Sequence, residues 1–85
     1  MVYNFKPKGV CTRDIRIDLD DTMGVVNGVE FNGGCQGNLI GLSVLSKGLP
    51  IDSVIEKLKG IPCGGKATSC PDQLARALEQ YKQAK

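Results

Sequence analysis

Residues 11–31 read CTRDIRIDLDDTMGVVNGVEF, and the first half of this stretch alternates strictly between apolar and polar side chains. Ile15, Ile17 and Leu19 fall on one face, whereas the residues between them are charged. A period of two is typical of a β-strand that is buried on one side. The pattern therefore predicts a half-buried strand from Cys11 to Leu19.

A second strand is predicted after the turn-like segment DDTMG, with Val25, Val29 and Phe31 on its apolar face. Two such strands joined by a short turn are expected to pair as an antiparallel hairpin. If Leu19 faces Val25 across the hairpin, then Ile15 faces Val29.

The N-terminal segment Val2 to Lys6 can add a third antiparallel strand, with Tyr3 and Phe5 pointing inward. Pro7 follows it directly, and proline cannot donate a backbone hydrogen bond within a sheet. We therefore expect this strand at an edge of the sheet.

After Cys35 the apolar period becomes helical, and glycine and proline divide the rest of the chain into three predicted helices. Ser69 can cap the last of them, whose first turn contains Pro71 and Asp72. The three predicted apolar faces consist of Leu39, Ile40, Leu42, Val44 and Leu45, then Ile51, Val54, Ile55 and Leu58, then Leu74, Ala77, Leu78 and Tyr81. The sequence thus predicts one α+β domain over residues 1–85, a three-stranded antiparallel sheet followed by three helices packed on one face.

Charge and hydrophobicity exclude two classes of partner. The 11 basic and 9 acidic residues nearly balance and form no basic run, which argues against nucleic acid as a partner. No stretch approaches the roughly 20 apolar residues that span a bilayer, and the first residues do not resemble a signal peptide. We expect a soluble, cytoplasmic protein that binds neither nucleic acid nor membrane.

The chain has four cysteines, Cys11, Cys35, Cys63 and Cys70, and no histidine. Each cysteine lies at a predicted boundary between structural elements. The predicted hairpin register sets Cys11 opposite Gly33, close to Cys35. The second helix should run back beside the first, which brings Cys63 and then Cys70 to the same end of the sheet. The four thiols are therefore expected to share one site.

Thiolates at such a site select zinc, copper(I) or iron-sulfur clusters over magnesium or calcium. The positive ends of the helices after Cys35 and at Cys70 favour the thiolate form. We predict a zinc or iron-sulfur site with the four cysteines as ligands and a supporting loop of Gly33, Gly34, Gly64, Gly65 and Lys66. Structural zinc sites usually carry a Cys-x-x-Cys pair and none is present, so four reduced thiols in a metal-free glycine-rich cap remain an alternative. Two structural disulfides are a further alternative.

Two catalytic motifs are rejected. Residues 60–67 read GIPCGGKA, which approximates a phosphate-binding loop but has Ala67 where the magnesium-binding hydroxyl belongs. Without histidine, neither a Ser-His-Asp triad nor a Cys-His pair can form. An independent hydrolase is not expected.

The run Thr68-Ser69-Cys70-Pro71-Asp72 resembles the signature of the TSCPD domain family, and residues 31–78 resemble that domain over nearly its whole length. Cys11, within GVCTRDI, completes the match. The resemblance implies an accessory domain of adenosylcobalamin-dependent ribonucleotide reductases, or a small relative, with a ribonucleotide reductase or another protein as partner. It suggests ribonucleoside-diphosphate reductase activity by transfer, but 85 residues cannot form the barrel, radical cofactor site and substrate site that independent catalysis needs.

A second resemblance is to the U-type iron-sulfur scaffold family. It rests on Gly34-Cys35 before an apolar helix and on the spacing Cys-x-x-x-Leu-Ala from Cys70 to Ala75. The comparison implies that Cys35, Cys63 and Cys70 take the places of the scaffold cysteines, with Cys11 as fourth ligand. The function predicted is a thiolate metal site in an accessory domain. A thiol redox module acting on a partner disulfide and a metal-free interaction domain are the alternatives.

Overall fold

Three strands come first in the chain and three helices follow. A computed structural model describes residues 1–10, 12–34, 36–65 and 67–84. The elements are β1 (Val2–Phe5), β2 (Thr12–Asp20), β3 (Val25–Gly33), α1 (Gln36–Ser46), α2 (Ile51–Leu58) and α3 (Cys70–Ala84). This order confirms the predicted α+β fold.

The sheet is antiparallel with the order β1-β2-β3, so the N-terminal strand lies at an edge as predicted. Tyr3 and Phe5 pack against the core from this strand. Tyr3 also contacts α3, because its ring lies 5.7 Å from the ring of Tyr81 in an edge-on arrangement.

The predicted hairpin register was wrong by two residues in the middle of the strands. Ile15 pairs with Phe31 instead of Val29, and Gly33 pairs with Thr12. Leu19 pairs with Val26 instead of Val25. The physical reason is that the pairing shifts twice, between Thr12 and Asp14 and between Asp18 and Leu19, and sequence alternation alone does not locate such β-bulges.

The second shift also reverses which valine of β3 faces the core. Val26 is fully buried, whereas Val25 is half-buried. Asn27 is the extra residue of the bulge, because Asp18 pairs with Gly28 and Leu19 with Val26. One unpaired residue moves every side chain before it to the opposite face. The prediction that Val25 shares a face with Val29 and Phe31 was therefore wrong.

The core lies between one face of the sheet and the helices. Its most buried members are apolar and come from the two long strands, α2 and α3: Ile15, Ile17, Leu19, Val26, Ile51, Val54, Leu74, Ala77, Leu78 and Tyr81. The buried faces predicted for α2 and α3 are thus confirmed. The opposite face of the sheet carries the exposed Arg16 and Asp18, which leaves it in contact with solvent.

The first helix differs most from its prediction. Leu39 is buried and Leu42 packs against the core, but Ile40, Val44 and Leu45 are 62%, 68% and 75% exposed. The predicted apolar face was too broad because α1 contacts the rest of the molecule along a single narrow stripe.

The three helices run between the two ends of the sheet, and the chain reverses direction between each helix and the next. α1 runs opposite to β3, since the amide of Gly48 donates to the carbonyl of Val26 at 2.6 Å. α2 then begins beside the hairpin turn, where the amide of Ile51 donates to the carbonyl of Gly24 at 2.9 Å. The loop of residues 59–69 follows and leads into α3, which starts at the opposite end of the sheet from the turn. We call this end, formed by Thr12, Gly33 and Gly34, the Thr12 end.

The far end of α3 is fastened at the hairpin turn. The side chain of Asp20 accepts the amides of Thr22 and Met23, both at 3.0 Å, which closes the turn. The hydroxyl of Tyr81 donates to the carboxylate of Asp21. Asp20 therefore closes the turn, and Asp21 anchors α3 to it. No helix in the described ranges has the length and hydrophobicity that crossing a membrane requires.

Candidate functional site

Ser69 caps the N-terminus of α3, as predicted. The hydroxyl of Ser69 accepts the amide of Asp72 at 3.2 Å and donates to the carbonyl of Ile61 at 2.6 Å. The first of these bonds is a helix cap, which satisfies one of the four free amides at the start of a helix. The second bond ties the helix start to the loop that precedes it.

Asp72 is fully buried and organises the same junction. Its carboxylate accepts the amide of Gly60 at 2.7 Å, the hydroxyl of Thr68 at 2.5 Å and the guanidinium of Arg76 at 2.8 Å. Burial by itself raises the pKa of Asp72, but the hydrogen bonds from Arg76, Thr68 and Gly60, together with the positive charge of Arg76, outweigh burial and lower it. Asp72 is thus held as a carboxylate.

Thr68 and Gln73 attach the segment before β2 to the same junction. The side-chain amide of Gln73 donates to Thr68 Oγ1 at 2.8 Å, and its carbonyl oxygen accepts the backbone amide of Lys8 at 3.2 Å. Gly9 lies against Thr68 so closely that an added Cβ would be 3.4 Å from the Thr68 methyl group. Residues 8–9 are therefore held at the start of α3.

Thr12, Gly34 and Cys70 come together from three different elements. Thr12 Oγ1 lies 3.0 Å from Cys70 Sγ, within hydrogen-bonding distance, and Thr12 is 2% exposed. Gly34 has a φ of +82°, and a Cβ there would lie 2.9 Å from both Thr12 Oγ1 and the Leu39 side chain. Glycine is thus required where the chain leaves β3 for α1, because both the backbone conformation and the space exclude a larger residue.

Two of the four predicted cysteine ligands are described. Cys70 is half-buried at the start of α3, and Cys63 is exposed in the loop that Ser69 and Asp72 fasten to that helix. Cys11 and Cys35 lie outside the described residues, although Thr12 and Gly34 adjoin them in sequence.

The predicted supporting loop is also described in part. Gly33 pairs with Thr12 at the Thr12 end, and Gly64 has a φ of +57°, which a glycine adopts freely. Gly65 is exposed in the same turn, and Lys66 lies outside the described residues.

Within the described ranges, no group of three or more histidine, cysteine, aspartate or glutamate side chains is arranged to hold a metal ion. A four-cysteine site includes two residues beyond those ranges. The metal site therefore stays a prediction.

Sequence reasoning missed three polar residues that hold this junction together, Thr12, Thr68 and Gln73. Thr68 directly precedes the predicted cap, a position at which a hydroxyl is a signal of local side-chain bonding. Thr12 and Gln73 gave no comparable signal for their distant contacts, because Cys70 lies 58 residues from Thr12 and Lys8 lies 65 residues from Gln73.

The fold and the site thus define a small α+β domain whose last helix has a capped start within a Thr-Ser-Cys-Pro-Asp run. The family model of the TSCPD domain matches residues 1–82, and the chain belongs to that family. It is thus a small domain of the family associated with ribonucleotide reductases. No curated protein and no solved structure matches the chain significantly. The resemblance to the iron-sulfur scaffold family stays a prediction.

Proposed function

We propose that the chain is an accessory domain that holds zinc or an iron-sulfur centre through Cys11, Cys35, Cys63 and Cys70, with a ribonucleotide reductase or another protein as its partner. The observation that carries the proposal is the meeting of Thr12, Gly34 and Cys70. Thr12 follows Cys11 and Gly34 precedes Cys35. A neighbour of Cys11 thus contacts Cys70, and a neighbour of Cys35 lies against that same threonine.

The path of the chain on either side of position 11 supports the same conclusion. Gly9 lies against Thr68, and Thr12 lies against Cys70. Described residues before and after position 11 thus both contact the start of α3.

The roles of the signature residues give further support. Thr68, Ser69 and Asp72 each have a structural task, since they bond the loop and cap the helix. Pro71 suits the first helical turn, which needs no amide donor. Cys70 contributes a half-buried thiol at the start of a 15-residue helix. Cys70 has no part in the helix cap, and a role as a thiolate ligand would account for its presence in the run.

The donor set fits the proposed metals. Four thiolates complete the tetrahedral shell of a structural zinc ion and are also the usual ligands of iron-sulfur clusters. A bound zinc ion would fasten the loop carrying Cys63 to the sheet, whereas a cluster would also carry electrons. The residues themselves position the ligands: Thr12 contacts the Cys70 sulfur, and the Asp72 bonds hold the loop in place.

Elemental analysis of protein purified without oxygen tests the proposal. We expect stoichiometric zinc or iron, lower metal content in Cys63→Ser and Cys70→Ser, and normal content in Met23→Ser. Met23 is an exposed sulfur residue in the hairpin turn, at the opposite end of the sheet, and is therefore the matched control. A chelator should release the metal, lower the melting temperature and expose the thiols, since the free energy of metal binding contributes to folding.

Two other results would contradict the metal site. Metal-free protein with titratable thiols and a melting temperature that a chelator does not change would identify a metal-free interaction domain. Thiols that are blocked before any reductant is added would identify disulfides.

A second candidate function is thiol exchange, favoured by the exposure of Cys63. In that reaction the Cys63 thiolate attacks a partner disulfide, forms a mixed disulfide and releases one partner thiolate. A second cysteine of the domain then displaces the other, so the partner gains two electrons and the domain gains a disulfide. Trapping a mixed disulfide with a Cys70→Ser variant, but not with Cys63→Ser, would support this candidate over the metal site.

A further inference from the structure

The outer edge of β3 and the neighbouring flank of α1 form an apolar surface without a covering element. Ile40 and Val44 on α1 are 62% and 68% exposed. They line a groove of about 390 Å³ together with Val29 and Phe31 of β3, and both strand residues are only half-buried. We call the exposed edge of residues 27–33, with Ile40 and Val44, the β3-α1 surface.

The two edges of the sheet are protected differently. β1 is four residues long and is followed by Lys6 and Pro7, features that prevent further strand pairing. β3 is nine residues long. Its first part is covered, because Val26 bonds with both Gly48 and Leu49. Over residues 27–33, no backbone hydrogen bond joins the side away from β2 to another described segment, and neither lysine nor proline occurs there.

We propose that the β3-α1 surface binds a second copy of this chain through antiparallel pairing of the two β3 edges. Such pairing would extend the sheet to six strands and set the two α1 helices side by side. An interface around a two-fold axis uses the same patch on both copies, and an antiparallel strand can pair with itself in this way.

The layered form of the surface favours a second copy over a single extended peptide. A peptide strand would pair with β3 but would leave much of Ile40 and Val44 exposed. A second copy presents a strand edge and a helix flank in the same arrangement, so strand meets strand and helix meets helix. Contact through both layers brings the buried area closer to the roughly 1,000 Å² that a specific interface needs.

Charge is compatible with self-association and restricts the register. α1 contains no charged residue, and Glu30 is the single charged residue of β3. A two-fold axis at Glu30 would place two carboxylates opposite each other, which is unfavourable. An axis at Val29 or Phe31 avoids this and keeps the apolar faces of both copies on one side of the sheet.

Sedimentation equilibrium of the full chain in the presence of reductant tests the proposal. The reductant excludes dimers linked through the exposed Cys63. We expect a reversible dimer that Val44→Lys weakens by about tenfold or more, since a charge must then be buried at the interface. Leu45→Lys is the matched control, because Leu45 is 75% exposed on the other flank of the same helix and lines a different groove. It should associate like the unmodified protein.

Hydrogen exchange gives a second readout that does not depend on the variants. Amides within residues 28–33 should become more protected as protein concentration rises, and Val44→Lys should abolish that change. If Val44→Lys does not fold, as judged by circular dichroism, Ile40→Lys replaces it. A monomer at all concentrations, a dimer that reductant dissolves, or equal weakening by Leu45→Lys and Val44→Lys would overturn the proposal.

Discussion

Asp72 carries the largest share of the polar contacts at the start of α3. It is fully buried, and its bonds reach Gly60 near the start of the loop, Thr68 near its end and Arg76 in the helix. A buried carboxylate is costly unless it is fully hydrogen-bonded, and this one has three donors. The position of Cys70, two residues earlier, depends on this network.

We predict that Asp72→Asn lowers the free energy of unfolding by about 2–3 kcal/mol, because an amide cannot accept all three donors and its own NH₂ group would face two of them. Urea denaturation at neutral pH measures the change. Asp52→Asn is the control: Asp52 also bonds a cation, Lys82, but its side chain is 78% exposed, so less than about 0.5 kcal/mol should be lost. Equal losses for the two variants would show that the buried hydrogen bonds of Asp72 stabilise the protein no more than the exposed ion pair of Asp52.

The stability difference between the unmodified protein and Asp72→Asn should also depend on pH. The pKa of Asp72 is lower in the folded protein than its ordinary value of 3.8, so Asp72 contributes fully to stability above that ordinary value. The contribution disappears as the pH falls through the lower, folded-state pKa. The stability difference between the unmodified protein and Asp72→Asn should therefore shrink on acidification below about pH 4. A difference that grows towards low pH would contradict the direction of the pKa shift.

Gly34 is the residue that lets α1 begin beside Thr12. We predict that Gly34→Ala costs about 2–4 kcal/mol, because a positive φ is unfavourable for alanine and its Cβ would press on Thr12 and Leu39. Gly24→Ala separates the two causes. Gly24 also has a positive φ, but a Cβ there meets nothing within 4 Å, so about 1–2 kcal/mol should be lost. Chemical denaturation measures both, and similar losses would disprove the crowding at Gly34.

Among the helices, α1 has the smallest share of buried residues. It has two internal glycines, Gly37 and Gly41, and a Cβ at either position would meet nothing within 4 Å. Glycine inside a helix is unfavourable by about 0.5–1 kcal/mol relative to alanine. Nothing within the described protomer requires these glycines, so α1 is held by its narrow contact with β3 and not by its intrinsic helix propensity.

We predict that Gly41→Ala raises the free energy of unfolding by about 0.5–1 kcal/mol. Gly48→Ala is the control just after the same helix, where a φ of +83° should make alanine destabilising by about 1 kcal/mol. Thermal and urea denaturation of the two variants should change in opposite directions. Destabilisation by Gly41→Ala would mean that the open space around Gly41 is filled in solution.

At the scale of the whole molecule, a single core joins the sheet to α2 and α3. Leu78 of α3 and Ile17 of β2 are both fully buried in it, and Tyr81 joins α3 to both Tyr3 and the hairpin turn. Since one core and contacts at both ends of the sheet hold α3 in place, we expect the helices and the sheet to unfold together.

We predict that Leu78→Ala destabilises the protein by about 2–5 kcal/mol and that circular dichroism and tyrosine fluorescence report one coincident transition. Fluorescence is informative because the two tyrosines lie against each other between β1 and α3. Leu45→Ala, at an exposed position, should change stability by less than about 0.5 kcal/mol. Separate transitions for the two signals would show that α3 is not part of the common core.

The elements follow from sequence because their causes are local. Alternation defined β2, helical periodicity defined α2 and α3, and a serine followed by proline and aspartate marked the start of α3. The Thr68 to Asp72 run likewise indicated the family before any contact was known. Each of these signals depends on neighbours within a few residues.

Tertiary structure alone decided the register, the exposure of α1 and the partners of the junction. The alternation of side chains does not locate the bulge at Asn27, yet the bulge determines that Val26 and not Val25 enters the core. The apolar side chains of α1 look alike in sequence, and only packing separates the buried Leu39 from the exposed Val44. Thr12 meets Cys70 across 58 residues because α1 and α2 carry the chain away from the Thr12 end and back again. Contacts over such separations depend on the sum of all element directions, which no local pattern contains.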